Sequence, residues 1–152
     1  MLDFEAARHL LEEAGLNNEE NAPVFAEDGC TELIDENGNV IHLFYDQSAE
    51  TLAAVGAIGK LPEDKDEALA VTTYLLSQNL LWVNTHGATL ALVREGSYAA
   101  LQRRYEGGEE SVYDFKNFLG SFSDELAQWI EAFGRIAAQA EEGRSSLEFD
   151  FV

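Results

Sequence analysis

The side chains of this chain that could perform acid–base or metal chemistry do not fall at the spacings that such chemistry uses. Its three histidines, His9, His42 and His86, each stand alone. None belongs to an H-x-x-x-H or H-E-x-x-H pattern, which would place two imidazoles on one metal ion. We therefore expect surface or hydrogen-bonded histidines, with no metal site and no cofactor.

The single cysteine, Cys30, is expected to be a small apolar side chain and not a nucleophile. A reactive thiolate needs a neighbouring cation, whereas Glu27, Asp28 and Glu32 supply anions that raise the pKa of a thiol. With one cysteine the chain has no intramolecular disulfide, which is typical of a protein from a reducing compartment.

Acidic residues are too abundant for any pair of them to indicate catalysis. The chain has 29 Asp and Glu against 9 Lys and Arg, and its formal net charge is -20. No Asp-x-Asp-x-Asp-Gly calcium loop occurs. Gly107 and Gly108 precede a predicted helix, but the three glutamates around them would repel a phosphate. A small enzyme is one alternative, and the missing catalytic constellation leads us to predict that the chain is not an enzyme.

The negative charge also limits the class of partner. Residues 1–50 hold 13 acids against the single base Arg8. Such a surface repels nucleic acid and anionic lipid, and it favours basic or hydrophobic polypeptides. The N-terminus lacks the pattern of a secretory signal, and no apolar run approaches the ~20 residues of a membrane span. We expect a cytoplasmic protein that binds neither nucleic acid nor membranes.

Helix and strand signals follow one another in a definite order. Apolar residues beginning at Phe4 recur at helical spacing, and Asn37-Gly38 between two apolar runs favours a β-hairpin. Asp64 is a candidate N-cap of a second helix, and Ser111 of a long third helix. The predicted order is α-β-β-β-α-β-β-α, an α+β domain with helices on an antiparallel sheet.

The length of 152 residues fits one domain, which we place at residues 1–137. Residues 138–152 are expected to form a polar tail with a strand-like end. In this tail Leu147, Phe149 and Phe151 alternate with acids, so one face of an extended segment is apolar. That face is expected to dock on a sheet edge or an apolar patch, with a solvated chain end as the alternative.

Apolar residues exceed what one core face requires. The second strand, residues 40–45, is apolar on both faces, and residues 80–83 add a bulky cluster at the end of a helix. A core on both sides of the sheet could absorb these side chains. The other interpretation is a dimer interface together with a groove for a partner chain, because large exposed apolar patches mark interaction sites.

Three short motifs in the middle of the chain carry a family resemblance. In chain order they are Ile58-Gly59-x-Leu61-Pro62, Leu76-x-x-Asn79-Leu80 and Gly87-Ala88-Thr89-Leu90-Ala91-Leu92. With the order of elements, they make roughly residues 4–135 resemble the CesT (Tir chaperone) family of type III secretion chaperones.

The resemblance implies a homodimer that holds a secreted effector. In such chaperones the second helix and the following strand form the dimer interface, and the first helix with the first three strands offers apolar grooves to an extended client. The residues implied for the dimer interface are Leu75, Leu76, Leu80, Leu90 and Leu92. The residues implied for effector binding are Phe4, Leu11, Leu33, Leu43, Tyr45 and Leu52.

The function that the resemblance implies is export escort. The chaperone keeps the N-terminal segment of a secreted effector in a non-globular state and presents it to the type III secretion apparatus. Two alternatives remain open from the sequence. One is a regulatory protein of the same fold that sequesters a secretion-linked regulator. The other is an acidic nucleic-acid mimic, which only the net charge supports.

Overall fold

The structure is a computed structural model that describes residues 2–14, 28–107 and 111–142. Its helices and strands follow the predicted α+β order, which is confirmed. In chain order they are α1 (Phe4–Glu13), β1 (Cys30–Ile34), β2 (Val40–Asp46), β3 (Thr51–Lys60), α2 (Lys65–Gln78), a short 3-10 turn (Leu80–Trp82), β4 (Thr89–Val93), β5 (Tyr98–Arg104) and α3 (Val112–Glu141).

The predicted helix starts are built from side-chain caps. The Asp64 carboxylate accepts hydrogen bonds from the backbone N–H groups of Asp66 and Glu67, both at 3.0 Å. The Ser111 hydroxyl accepts from the N–H of Asp114 at 3.1 Å. These bonds satisfy N–H groups that a helix cannot pair internally. Both N-cap predictions are therefore confirmed.

The predicted Asn-Gly hairpin turn joins β1 to β2. Gly38 has a φ of +81°, a left-handed conformation that favours glycine. One carboxylate oxygen of Asp35 accepts from the N–H groups of Asn37 at 2.9 Å and Asn39 at 2.8 Å. The other accepts from the hydroxyl of Ser123 in α3 at 2.7 Å, so one carboxylate holds the turn and also fixes it to the third helix.

The five strands form one sheet in the order β1-β2-β3-β5-β4. Hairpins pair β1 with β2, β2 with β3 and β4 with β5, all antiparallel. Near the two ends of the β3–β5 pairing, the N–H of Tyr105 donates to the Leu52 carbonyl and the N–H of Leu61 donates to the Ser97 carbonyl. Strands β1 and β4 consequently lie at the edges of the sheet.

The chain divides into two compact units, whose boundaries fall inside β3, β5 and α3. Unit 1 comprises Met1–Gly56 and Arg103–Asp124, and unit 2 comprises Ala57–Gln102 and Glu125–Val152. Each unit has its own buried apolar core.

In unit 1 Tyr105, the residue after β5, packs with aromatic residues of α3. The ring of Tyr105 lies 5.4 Å from that of Phe115 and 5.3 Å from that of Phe118, measured between centroids. Phe122 continues this series one turn later. The other large core residues of the unit include Leu10, Leu11, Ile41, Leu43, Tyr45 and Leu52.

In unit 2 helix α3 lies so close to β3 that one strand residue must lack a side chain. A Cβ atom added at Gly59 would overlap the ring of Phe133, which itself is buried. This contact gives a physical reason for the glycine in the Ile58-Gly59-x-Leu61-Pro62 motif. The remaining large core residues include Ile58, Val71, Leu75, Leu90, Leu101, Leu126 and Trp129.

Helix α3 extends beyond residue 137, where the sequence analysis places the start of the tail. It ends at Glu141, and Ala140 is buried. The first residues assigned to the tail are therefore helical. The predicted strand-like end with Leu147, Phe149 and Phe151 lies outside the described residues.

Gly59→Ala is expected to lower the free energy of unfolding by about 1–3 kcal/mol, because overpacking displaces the Phe133 ring. Gly134, in the exposed part of the same helix, has no atom near the place of a Cβ. Gly134→Ala should therefore raise stability by about 0.5–1 kcal/mol through helix propensity. Urea unfolding of both variants checks the opposite signs, and equal stability of Gly59→Ala and wild type would contradict the packing argument.

Candidate functional site

In unit 1, strand β2 places apolar side chains on both faces. Leu43 and Tyr45 point into the core, while Val40 and Phe44 on the opposite face are exposed. Ile34 lies across from Val40 in β1 and is 73% exposed. We call Ile34, Val40 and Phe44 the outer-sheet surface. It is the second apolar face of β2, for which the sequence left open a two-sided core or an interaction surface.

Most side chains predicted for effector binding lie inside unit 1. Leu43 and Leu52 are 0% exposed, and Leu11 and Tyr45 are also buried. Because the strand alternation turns these side chains inward, an acidic substitution at Leu43 or Leu52 would damage the fold. Four of the six side chains predicted for effector binding are therefore core residues, and the exposed large apolar side chains of β1 and β2 are those of the outer-sheet surface.

Phe4 and Tyr45, both predicted for effector binding, contact each other within unit 1. Their ring centroids are 5.4 Å apart, and Tyr45 lies across from Leu52 in the sheet. The Tyr45 hydroxyl donates to the carbonyl of Leu2 at 2.7 Å. These contacts fix the start of α1 on the sheet, and Phe4 itself remains half-buried.

Leu33, the remaining predicted effector residue, lines an open cavity of about 480 Å³ in unit 1. Ile41 and Leu119 provide further apolar wall. Among the described residues, the charged side chains that line the cavity are those of Asp35, Glu36, Asp124 and Lys116. Three acids against one base make the rim of the cavity negative. A polypeptide segment with an apolar side chain next to a basic residue would therefore fit this cavity.

In unit 2, helix α2 has apolar residues on two faces. Val71 and Leu75 are buried, and Leu75 is 2% exposed. Its neighbour Leu76 is 60% exposed and lies at helical spacing from exposed Leu69 and Leu80. A helix that is apolar on more than one side normally has more than one side covered.

The segment after α2 and the edge strand β4 extend this exposed apolar area. Trp82 is 56% exposed, and Leu81 and Val83 are exposed beside it. Helix α2 contacts β4, whose Leu92 is also exposed. We call these residues the α2 surface: Leu69, Leu76, Leu80, Leu81, Trp82, Val83 and Leu92. Of the predicted dimer residues, Leu76, Leu80 and Leu92 lie on it, whereas Leu75 and Leu90 are buried.

Asn79 occupies part of the outer edge of β4. Its side-chain amide donates to the carbonyl of Leu90 at 2.9 Å, and its side-chain oxygen accepts from the N–H of Leu90 at 2.8 Å. One side chain thus satisfies both backbone groups of a residue on an edge strand, which removes a site for strand pairing. Asn79 belongs to the Leu76-x-x-Asn79-Leu80 motif, whose sequence alone does not reveal this contact.

A buried carboxylate in unit 2 was not singled out from the sequence. Glu125 Oε2 lies 2.8 Å from His86 Nδ1, and Glu125 Oε1 accepts a hydrogen bond from the indole N–H of Trp129 at 3.0 Å. His86 and Glu125 are 39 residues apart. The sequence marked His86 as a lone histidine, and no local pattern connects it with its partner.

The other residues considered for chemistry have structural surroundings. Burial and the Asp28 carboxylate raise the pKa of the Cys30 thiol, as the local acids predict. His42 Nδ1 lies 3.5 Å from Glu32 Oε1 in an exposed pair. Within residues 2–14, 28–107 and 111–142, no three potential metal ligands cluster together. Over the same part of the chain, none of the helices has the length and apolar character needed to cross a bilayer.

The family model of the Tir chaperone protein (CesT) family matches residues 7–130. The chain belongs to this family. The predicted resemblance is confirmed, and so is the prediction that the protein is a type III secretion chaperone. A chaperone family favours a binding role over catalysis.

Solved structures share the fold of this chaperone. The ExsC–ExsE complex matches with a TM-score of 0.69 and 17% identity, covering 86% of this chain and 96% of that chain. The HopA1–SchA chaperone–effector complex matches with a TM-score of 0.58 and 19% identity, covering 88% and 98%. The heterodimeric ExoU–SpcU complex from the type III secretion system of Pseudomonas aeruginosa matches with a TM-score of 0.52 and 17% identity. The match covers 86% of this chain and 94% of that chain. No curated protein sequence matches the chaperone significantly.

Proposed function

We propose that this chaperone is a cytoplasmic homodimer that binds the N-terminal segment of a secreted effector in a non-globular state and presents it for export. The observation that carries the proposal is the pair of exposed apolar surfaces, one in each unit, on a chain of a chaperone family. Binding of a client supplies the function, and no catalytic step is part of it. The lone cysteine supports a reducing compartment.

The outer-sheet surface is the proposed site for the effector. Ile34, Val40 and Phe44 can receive the apolar side chains of an extended segment. Strand β1 is at a sheet edge and could pair with such a segment, whereas Asn79 occupies the other edge at Leu90. The complexes named in the fold comparison, one of them a chaperone–effector complex, support this use of the fold.

Electrostatics favours a client with basic residues near its apolar anchors. The chain carries a net charge of -20, and acids outnumber bases around the cavity lined by Leu33. A negative field accelerates the encounter with a basic segment, while burial of apolar side chains contributes most of the binding free energy. The cavity would then hold one apolar anchor, with a Lys or Arg of the client facing Glu36 or Asp124.

The α2 surface is the proposed dimer interface. Leu69, Leu76 and Leu80 are exposed at helical spacing, and Trp82 adds an aromatic side chain of the type that dominates interfaces. A second copy of the chain presents the same stripe, so a two-fold contact would cover both at once. Among the predicted interface residues, buried Leu75 and Leu90 would support this surface from beneath.

Leu76→Glu is expected to convert the dimer to a monomer that remains folded, because Leu76 is exposed within one chain. The matched control is Leu75→Glu, which places a carboxylate in the core and should unfold the chain, since an unpaired buried charge is strongly unfavourable. Light scattering gives the mass, and circular dichroism reports the fold. A Leu76→Glu variant with the mass of the wild-type dimer would reject the interface.

Phe44→Glu is expected to weaken effector binding by at least ~10-fold while the melting temperature stays within a few degrees of wild type. The neighbouring Leu43→Glu variant is the control, and it should lose the fold and the binding together. The measurement is capture of the effector that co-purifies with the wild-type chain from its secreting host. Undiminished capture by folded Phe44→Glu would exclude the outer-sheet surface as the binding site.

A further inference from the structure

The segment that follows α2 has a strained backbone. Leu81, Trp82 and His86 have φ angles of 55°, 57° and 51°, in the left-handed region that residues other than glycine rarely adopt. Such conformations persist where the surrounding structure holds them. Leu81 is the most exposed residue of the α2 surface, and Trp82 is its aromatic residue. The contacts that hold this backbone therefore decide how those side chains are presented.

Glu125 provides a fixed point for the segment. It is buried, and both of its carboxylate oxygens are engaged, one by His86 Nδ1 at 2.8 Å and one by the Trp129 indole N–H at 3.0 Å. Trp129 lies one helical turn further along α3 and is itself buried. The indole thus orients the carboxylate, and the carboxylate holds the exposed imidazole of His86. Among the described residues, Glu125 is the charged residue that pairs with the His86 imidazole within 4.0 Å.

Backbone hydrogen bonds connect the His86–Glu125 contact with the segment that carries the exposed apolar side chains. Gly87, the residue after His86, donates its N–H to the carbonyl of Trp82 at 3.2 Å. The N–H of Trp82 donates to the carbonyl of Asn79 at 3.0 Å, and Asn79 is fixed on β4. Trp82 is therefore held from both sides, by Asn79 at the end of α2 and by the His86-Gly87 turn that Glu125 anchors.

We propose that Glu125 is a positioning residue for self-association of this chain. Acting through His86, it holds the Leu80–Trp82 turn in the conformation that presents Leu81 and Trp82 to a second copy. Glu125 is buried and takes no part in the α2 surface itself. The inference rests on the proposed dimer. It states that the His86–Glu125 contact, which lies outside the interface, contributes to the affinity of the dimer.

The first test is His86→Ala in the full chain, with the dimer dissociation constant measured by sedimentation equilibrium. Because His86 is exposed, the variant should still fold, with a melting temperature within a few degrees of wild type. The loss of a charge-assisted hydrogen bond should raise the dissociation constant about tenfold. His42→Ala is the matched control, since it removes another exposed histidine paired with a glutamate and should leave the dissociation constant unchanged.

The second test asks whether Glu125 acts through His86. Glu125→Ala should weaken the dimer as much as His86→Ala does, and the double variant should be no weaker than either single variant. Glu125→Gln should recover most of the affinity, because its amide can still accept from Trp129 and donate to a neutral imidazole. A purely structural role for Glu125 would lower the melting temperature without this non-additivity in the dissociation constant.

The outcomes separate the inference from the proposed function. A wild-type chain that stays monomeric overturns the dimer and the role of Glu125 together. A dimeric wild type with an equally tight His86→Ala variant overturns the role of Glu125 and leaves the dimer standing. Additive losses in the double variant also overturn it, because Glu125 would then act independently of His86. If Glu125→Ala fails to fold, the His86→Ala result decides.

Discussion

Strand β2 and helix α2 carry apolar side chains on two faces each, and the folded chain covers one face of each. The covered faces, with Leu43 and Leu75, build the cores of the two units. The uncovered faces, with Phe44 and Leu76, remain in contact with water. Burying one such side chain stabilises by about 1.5–3 kcal/mol, so several together give a strong tendency to bind another polypeptide. The proposed function follows from this surplus.

The acidic composition makes such exposed apolar area tolerable. With a net charge of -20, copies of the chain repel one another unless their apolar surfaces meet in a favourable geometry. The same charge discourages contact with nucleic acid and attracts basic segments. A chain with these surfaces and near-zero charge would be prone to precipitate. Charge and apolar area thus serve one property, which is selective association with polypeptides.

Polar side chains control the edges of the apolar surfaces. Asn79 binds both backbone groups of Leu90, and Asp35 binds the β1–β2 turn and Ser123 of α3. Glu125 bridges His86 and Trp129 next to a strained turn. Each of these contacts ties a loop or a strand edge to a neighbouring element. The apolar side chains provide the binding free energy, and these polar contacts determine the conformation of the surfaces that carry them.

Local signals in the sequence determined the elements and their order, because helical periodicity, N-caps such as Asp64 and the Asn37-Gly38 turn depend on residues close in the chain. The motifs around Gly59 and Asn79 also sufficed to indicate the family. The tertiary structure alone decided which of two adjacent apolar residues is buried, as with Leu43 and Phe44 or Leu75 and Leu76. In an element that is apolar on both faces, the sequence pattern does not distinguish the buried face from the exposed one. The tertiary structure likewise decided the pairing of Gly59 with Phe133 and of His86 with Glu125, because these partners are distant in sequence and meet only when the elements pack.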